Sequence, residues 1–133
     1  MIREDEDAFV ISAPDLVVAA CRHDSWSWRL ELRSDAQDIT WTLTIAVPVS
    51  VTQTRSEVPG LTHSLERLAG KSISDVRARK SDGGLEIRFD DGELLRVEPD
   101  PDYEAWEMYS TRGERLIAVP GDGVAKWGEI IGH

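Results

Sequence analysis

Trp26-Ser27-Trp28-Arg29-Leu30-Glu31-Leu32-Arg33, a polar break at Ser34-Asp35-Ala36-Gln37-Asp38, and then Ile39-Thr40-Trp41-Thr42-Leu43-Thr44-Ile45 form the stretch that decides the fold. Both runs alternate strictly. Trp26, Trp28, Leu30 and Leu32 share one parity of the first run, and Ile39, Trp41, Leu43 and Ile45 share one parity of the second. The positions between them are Ser, Arg, Glu or Thr. Successive strand side chains point to opposite faces, so this period of two describes a strand with one buried face. Two such runs joined by a short polar loop predict an antiparallel hairpin. The Trp and Thr content favours strand over helix. Leu16–His23 reads as a preceding strand; a helix over Asp15–Cys21 is the alternative, which the β-branched pair Val17-Val18 disfavours.

Working outward, Pro48 limits Val47–Thr54 to an edge strand or a strand exit. Pro59-Gly60 is a turn signal. Leu61, Leu65 and Leu68 then recur at helical spacing ahead of Gly70, which predicts a short helix near 61–69. A second meander follows. Ser72–Lys80 reads as a strand and Ser81-Asp82-Gly83-Gly84 as a turn. Leu85, Ile87 and Phe89 alternate with charged residues, Asp91-Gly92 marks a two-residue hairpin of type I′, and Leu94–Glu98 returns. Glu104–Ser110, Arg115–Val119 and Gly123–Trp127 read as three further strands. The fold class is therefore mostly β: antiparallel meanders forming a sandwich or a partly closed barrel, with the one short helix. The shared outline of 16–54 and 72–127 suggests a duplicated unit.

The chain has 133 residues, and 25 acids against 15 bases leave a net charge of −10. That length suits one domain with its own core, expected over 9–133. Residues 1–7 hold four acids and one base, and residues 90–107 hold eight acids against Arg96 alone. The rest is balanced. Residues 1–8 are accordingly expected as an acidic, flexible tail. The acidity argues against a nucleic-acid backbone as partner, which needs clustered Lys and Arg. No basic start precedes an apolar run, and no run approaches the ~20 apolar residues of a membrane helix, so no membrane role and a cytoplasmic location are expected. One Cys suits a reducing compartment.

Chemistry-bearing motifs are sparse. His23, His63 and His133 are scattered, and Cys21 with His23 falls short of the three or four clustered ligands of a zinc site. No nucleophile elbow, phosphate-cradling loop or dinucleotide fingerprint is present. No catalytic residue, metal or cofactor is assigned. Two constellations remain. Trp26, Trp28 and Trp41 lie on the apolar face of the first hairpin; they form either the core or the lining of a ligand pocket. Glu98-Pro99-Asp100-Pro101-Asp102-Tyr103-Glu104-Ala105-Trp106-Glu107 is acidic, aromatic and stiffened by two prolines. Carboxylates steer and hold Lys or Arg while aromatics supply contact area, so Glu98, Asp100, Asp102, Tyr103, Glu104, Trp106 and Glu107 are candidates for a basic protein partner. The opposing reading puts Trp106 in the core and the acids on a solvated loop.

The run Asp91-Gly92-Glu93-Leu94-Leu95-Arg96-Val97-Glu98-Pro99-Asp100-Pro101-Asp102-Tyr103-Glu104-Ala105-Trp106-Glu107, followed by Pro120-Gly121 and Ala125-Lys126-Trp127, resembles a small actinobacterial domain family of unknown function. Its pattern is approximately DGxxLxVxPDPxYEAWE, then PGG and AxW, and the resemblance is best over 61–127. Gly121-Asp122-Gly123 departs from the consecutive glycines of that pattern. The resemblance implies a domain type and assigns no role to any residue. The function expected is a non-catalytic binding protein, of an immunity or regulatory type, whose acidic aromatic loop occupies a basic surface. The alternative is a small-molecule-binding or hydrolytic β-barrel lined by the Trp residues. A monomer or a homodimer joined at an edge strand near Val47–Val51 is expected.

Overall fold

The decisive hairpin forms as its alternation requires. β4 (Ser27–Ser34) and β5 (Ile39–Ala46) pair antiparallel from Ser27 opposite Ala46 to Ser34 opposite Ile39. Trp28, Leu30 and Leu32 on β4 and Ile39, Trp41, Leu43 and Ile45 on β5 are all buried. Each such side chain contributes about 1.5–3 kcal/mol by leaving water. The loop between them is held from outside: Asp15 accepts hydrogen bonds from the Ser34 hydroxyl (2.5 Å) and the Ala36 amide (3.1 Å).

The computed structural model describes residues 2–23, 27–46, 51–53, 65, 68–99, 102, 104–120 and 123–127. Twelve strands among them form two six-stranded antiparallel sheets. The remaining strands are β1 (Ile2–Glu4), β2 (Ala8–Ile11), β3 (Val17–His23), β6 (Val51–Gln53), β7 (Ile73–Arg79), β8 (Leu85–Phe89), β9 (Leu94–Val97), β10 (Trp106–Ser110), β11 (Arg115–Ala118) and β12 (Val124–Trp127). Sheet A runs β1-β2-β7-β8-β9-β6 and sheet B runs β12-β11-β10-β5-β4-β3. The first meander, β3-β4-β5, thus lies in sheet B, and the second, β7-β8-β9, lies opposite it in sheet A. β6 forms an edge of sheet A, within the Val47–Thr54 segment expected as an edge strand; Pro48 itself lies outside the described residues.

One core joins the sheets. Ile11, Val76, Ile87, Phe89 and Leu95 from sheet A share a cluster with Leu30, Trp41, Leu43, Trp106 and Met108 from sheet B. The barrel alternative is not realised, since no hydrogen-bonded ladder among the described residues closes the two sheets into one. A single bridge, Val17 to Ser72, and the bonds Val18 N to Lys71 O (3.0 Å) and Ile73 N to Leu16 O (2.7 Å) stitch one margin. The other joint is a contact of turns. Trp106 Nε1 of β10 donates to Gly83 O in the β7–β8 turn at 2.8 Å, buried. A side chain at Gly83 would come within 2.7 Å of Gly123 O, and one at Gly123 would press on the Lys80 carbonyl. Both glycines hold a positive φ (82° and 79°), which L side chains rarely adopt. Gly123, just after the Asp122 that interrupts the family-like glycine pair, is therefore where two turns meet.

Several expectations are corrected. The short helix near 61–69 is not borne out: Leu65 and Leu68 are buried in a tight turn, with Leu68 N bonded to Leu65 O (3.1 Å) and Lys71 N to Leu68 O (3.0 Å). Residues 61–64 and 66–67 lie outside the described residues. Leucines at that spacing serve the core from a turn as well as from a helix. The acidic start, expected as a tail, carries β1. Ile2 is buried, its amide donates to Glu114 Oε2 (3.3 Å), and Lys80 Nζ reaches Glu4 Oε2 at 2.6 Å. The β8–β9 connection has three residues, Asp90-Asp91-Gly92, closed by Phe89 N to Glu93 O at 2.9 Å. Gly92 alone of them has positive φ (90°), so it is the bulged three-residue hairpin and not type I′, which needs two such residues. No helix among the described residues is long and apolar enough to cross a membrane.

Candidate functional site

The acidic aromatic stretch is divided by the fold. Trp106 begins β10 and is buried at 1 % exposure, so it belongs to the core. Glu107, next on the strand, turns outward and meets Arg115 Nη2 across β10–β11 at 2.9 Å. Upstream, Asp91 and the fully buried Glu93 side chain both bind Lys71 Nζ, at 2.6 and 2.7 Å. Those two hydrogen bonds, Asp91 first, hold the Lys71 ammonium above the usual lysine value. Between these engaged ends runs the crossing from sheet A to sheet B. There Glu98 is half-buried, and Asp102 and Glu104 are exposed. Glu98 and Glu104 enter none of the ion pairs among the described residues. Asp100 and Tyr103 lie outside the described residues.

The Trp set also divides. Trp28 and Trp41 are core residues, at 3 % and 0 % exposure. His23 lies against Trp28, ring centroids 4.6 Å apart. Trp26 lies outside the described residues. Neither Trp28 nor Trp41 lines the surface cavity described next.

Residues that the sequence reading passed over converge on the outer face of sheet A. On β7, β8 and β9 the inward positions are apolar and the outward ones, Ser74 and Leu94 apart, are charged. Registry sets Asp75 beside Arg88, and Arg77 beside Glu86 beside Arg96. Glu86 is the hub: its Oε1 lies 2.8 Å from Arg96 Nη2 and 3.4 Å from Arg79 Nη1, and its Oε2 lies 3.8 Å from Arg88 Nη2. Its side chain is only 10 % exposed, whereas those of Arg88 and Arg96 are 53 % and 40 % exposed. A carboxylate withdrawn from water this far is retained when cations and hydrogen bonds replace its hydration. Asp75 contacts Arg77 Nε at 3.6 Å and Arg88 Nε at 3.9 Å, beyond hydrogen-bond length.

A cavity of about 550 Å³ opens over this lattice, lined by Ser74, Asp75, Glu86, Arg88, Phe89, Gly92, Glu93, Leu94 and Arg96. A β-bulge shapes its rim. The β7–β8 register shifts between Ile73 and Asp75, so Ser74 is an extra residue and Asp75 is carried to the outer face. Bulges re-aim side chains in this way beside functional sites. Ser74 Oγ is engaged with Asp90 Oδ1 at 2.7 Å. The signal was present in the sequence: Ile73 and Val76, both buried, stand three apart, which breaks the period of two at Ser74-Asp75. Chemically the cavity offers carboxylates, two guanidinium groups and an apolar patch. It holds no Cys, His or Lys, and among the described residues no cluster of three or more His, Cys, Asp or Glu is arranged to hold a metal ion.

Comparison with curated proteins and with solved structures found no match. A family model does match, over residues 21–128, which spans β4 to β12 and the whole cavity but leaves β1 and β2 outside. The match covers well over half of the chain, and the protein belongs to this family of unknown function, DUF6188.

Proposed function

We propose that the protein is a non-catalytic binding domain that presents the acidic crossing between β9 and β10 to a basic protein partner. The observation that carries this reading is the division of charge within residues 90–107. Asp91, Glu93 and Glu107 are consumed by internal pairs, while Glu104 faces solvent and enters none of the ion pairs among the described residues. The crossing is firmly held at both ends, by buried Val97 and by Ala105, whose carbonyl accepts the Ala46 amide at 2.9 Å. Exposed charge on fixed anchors loses little freedom on docking and speeds encounter with an opposite surface. The filled Trp core weighs against the alternative of a Trp-lined pocket. An immunity-type or regulatory role is the form this reading takes, with the partner's basic, anion-binding surface as the target.

The test is paired affinity capture followed by mass spectrometry, with wild type and the triple variant Asp100→Asn, Asp102→Asn, Glu104→Gln. Basic proteins held by wild type and lost by a folded variant are the expected result. An unchanged set of captured proteins overturns the reading.

A further inference from the structure

On the outer face of sheet B, Arg22 of β3 stands directly opposite Arg29 of β4. Like charges set opposite each other destabilise a ladder. Both side chains are exposed, and neither enters an ion pair among the described residues. The same row continues to a carboxylate. Arg29 is opposite Thr44 on β5, and Thr44 is opposite Glu107 on β10. Two strand spacings are about 9.6 Å, so Thr44 keeps Arg29 and Glu107 apart within one chain. Glu107 gives its Oε2 to Arg115, and its Oε1 enters no hydrogen bond among the described residues. The next row repeats the plan, with Glu31 of β4 and Tyr109 of β10 on either side of Thr42. Tyr109, 47 % exposed, is the one large apolar side chain left exposed among the described residues.

We propose that this face is the interface between two copies of the chain, related by a two-fold axis that runs along β5. A half-turn about that axis sets β10 of each copy over β4 of the other. Glu107 then meets Arg29 of the second copy, with Arg22 beside it, and the Tyr109 hydroxyl comes over Glu31. Each contact is made twice, as an isologous pair requires. A carboxylate brought to the Arg22–Arg29 pair also removes the repulsion between them.

The charges on the face support this occupant. Arg33 is held by Asp35 at 3.3 Å, so Arg22, Arg29, Glu31 and the second oxygen of Glu107 are the groups left for another copy. On sheet A the carboxylates and guanidiniums already touch within one chain, and no such division about a strand exists there. The net charge of −10 comes from residues 1–7 and 90–107, and at physiological ionic strength its repulsion is screened beyond about 8 Å. Six strands about 4.8 Å apart, up to eight residues long, make a face about 24 Å across and about 26 Å long, comparable with the roughly 800 Å² per partner of a stable interface. The interface does not rest on the reading of the acidic crossing, and capture of partners by that crossing is a separate readout.

Sedimentation equilibrium of the wild-type protein from about 1 to 300 µM is expected to show a monomer–dimer equilibrium. Arg29→Glu or Glu107→Lys alone weakens dimerisation about tenfold or more, because each sets like charges together in both contacts. An equimolar mixture of the two variants restores the dimer: one contact is then the wild-type pair, and the other is that pair with its signs exchanged. Misfolded chains would not recover in this way, and circular dichroism of each variant checks the fold. On dilution of wild type, amide shifts move at residues 29–31, 42–44 and 107–109. Arg88→Gln, on the outer face of sheet A, leaves the dimer unchanged. A monomer throughout the concentration range overturns the proposal. A dimer that both charge-reversed variants form as readily as wild type overturns it, as does a mixture that fails to recover. A mass that climbs past the dimer overturns it too, since a two-fold contact closes at two copies.

Discussion

The outer face of sheet B mixes hydroxyls with scattered charge, and that of sheet A is a connected lattice of charge. On sheet B, Thr40, Thr42 and Thr44 stand half-buried along β5, flanked by exposed Arg29 and Arg33 and by Tyr109, which remains 47 % exposed. The ion pair on its ladder, Glu107 with Arg115, is half open to water. On sheet A, Arg77, Arg79, Arg88 and Arg96 enclose Glu86 and Asp75, and polar atoms are left unmatched. Both faces cover the same core with the same inward periodicity. A β-sandwich needs only a soluble exterior, and threonine supplies that cheaply. A buried carboxylate ringed by guanidiniums exceeds this need, because withdrawing charge from water costs several kcal/mol before pairing repays it. The difference singles out sheet A as the face where chemistry is specified beyond folding.

That contrast can be broken at its joint. Trp106 lies in sheet B and hydrogen-bonds the sheet A turn at Gly83, so Trp106→Ala is expected to cost about 3–5 kcal/mol. Urea unfolding followed separately by near-ultraviolet and far-ultraviolet dichroism checks this. Coincident transitions at a lower midpoint mean that both faces belong to one cooperative unit; two transitions mean that they do not.

A smaller effect sharpens the contrast. Glu86→Gln leaves guanidiniums packed around a neutral group and is expected to destabilise by about 2 kcal/mol. Glu31→Gln, the outward acid of β4, is expected to stay within about 0.5 kcal/mol. Equal midpoints for the two variants in a denaturant series would erase the distinction between the faces.

The smallest expected effect is in pH. Asp15 is held below its ordinary value of 3.8, first by the Ser34 hydroxyl, and Glu4 below 4.5 by its hydrogen bond to Lys80. Depressed carboxylates contribute stability that is full above those ordinary values and is lost as pH falls through the folded ones. Lys71 is raised above 10.5, so its contribution is full at neutral pH and is lost as pH climbs past 10.5. Thermal midpoints against pH therefore fall on both sides. Lys71→Met, on sheet A, is expected to flatten the alkaline limb and also to alter the acid limb, because it strips buried Glu93 of its counter-ion, whereas Asp15→Asn is expected to soften the acid limb alone.

Legibility differed along the chain for physical reasons. Strands β4, β5, β8 and β9 were readable because each buries one face, which writes alternation directly into the residues. β2 was not, since all four of Ala8–Ile11 are buried and a strand covered on both faces has no period to detect. β1 is three residues long and acidic, and its place comes from Lys80 and Glu114, both distant in sequence. At Ser74 the bulge shifted parity and disguised the outward position of Asp75. The acidic stretch left Trp106 open to two readings, part of the loop or part of the core, and burial puts it in the core.

Composition and periodicity alone determined that the chain is mostly antiparallel β, with two meanders and an acidic crossing, because burial of one sheet face acts residue by residue. Only the tertiary structure decided which charges are spent and which are left. Whether Glu93 meets Lys71, Glu86 meets Arg79 and Arg96, or Trp106 meets Gly83 depends on residues 7 to 23 apart in sequence being set side by side, and no local pattern encodes that distance.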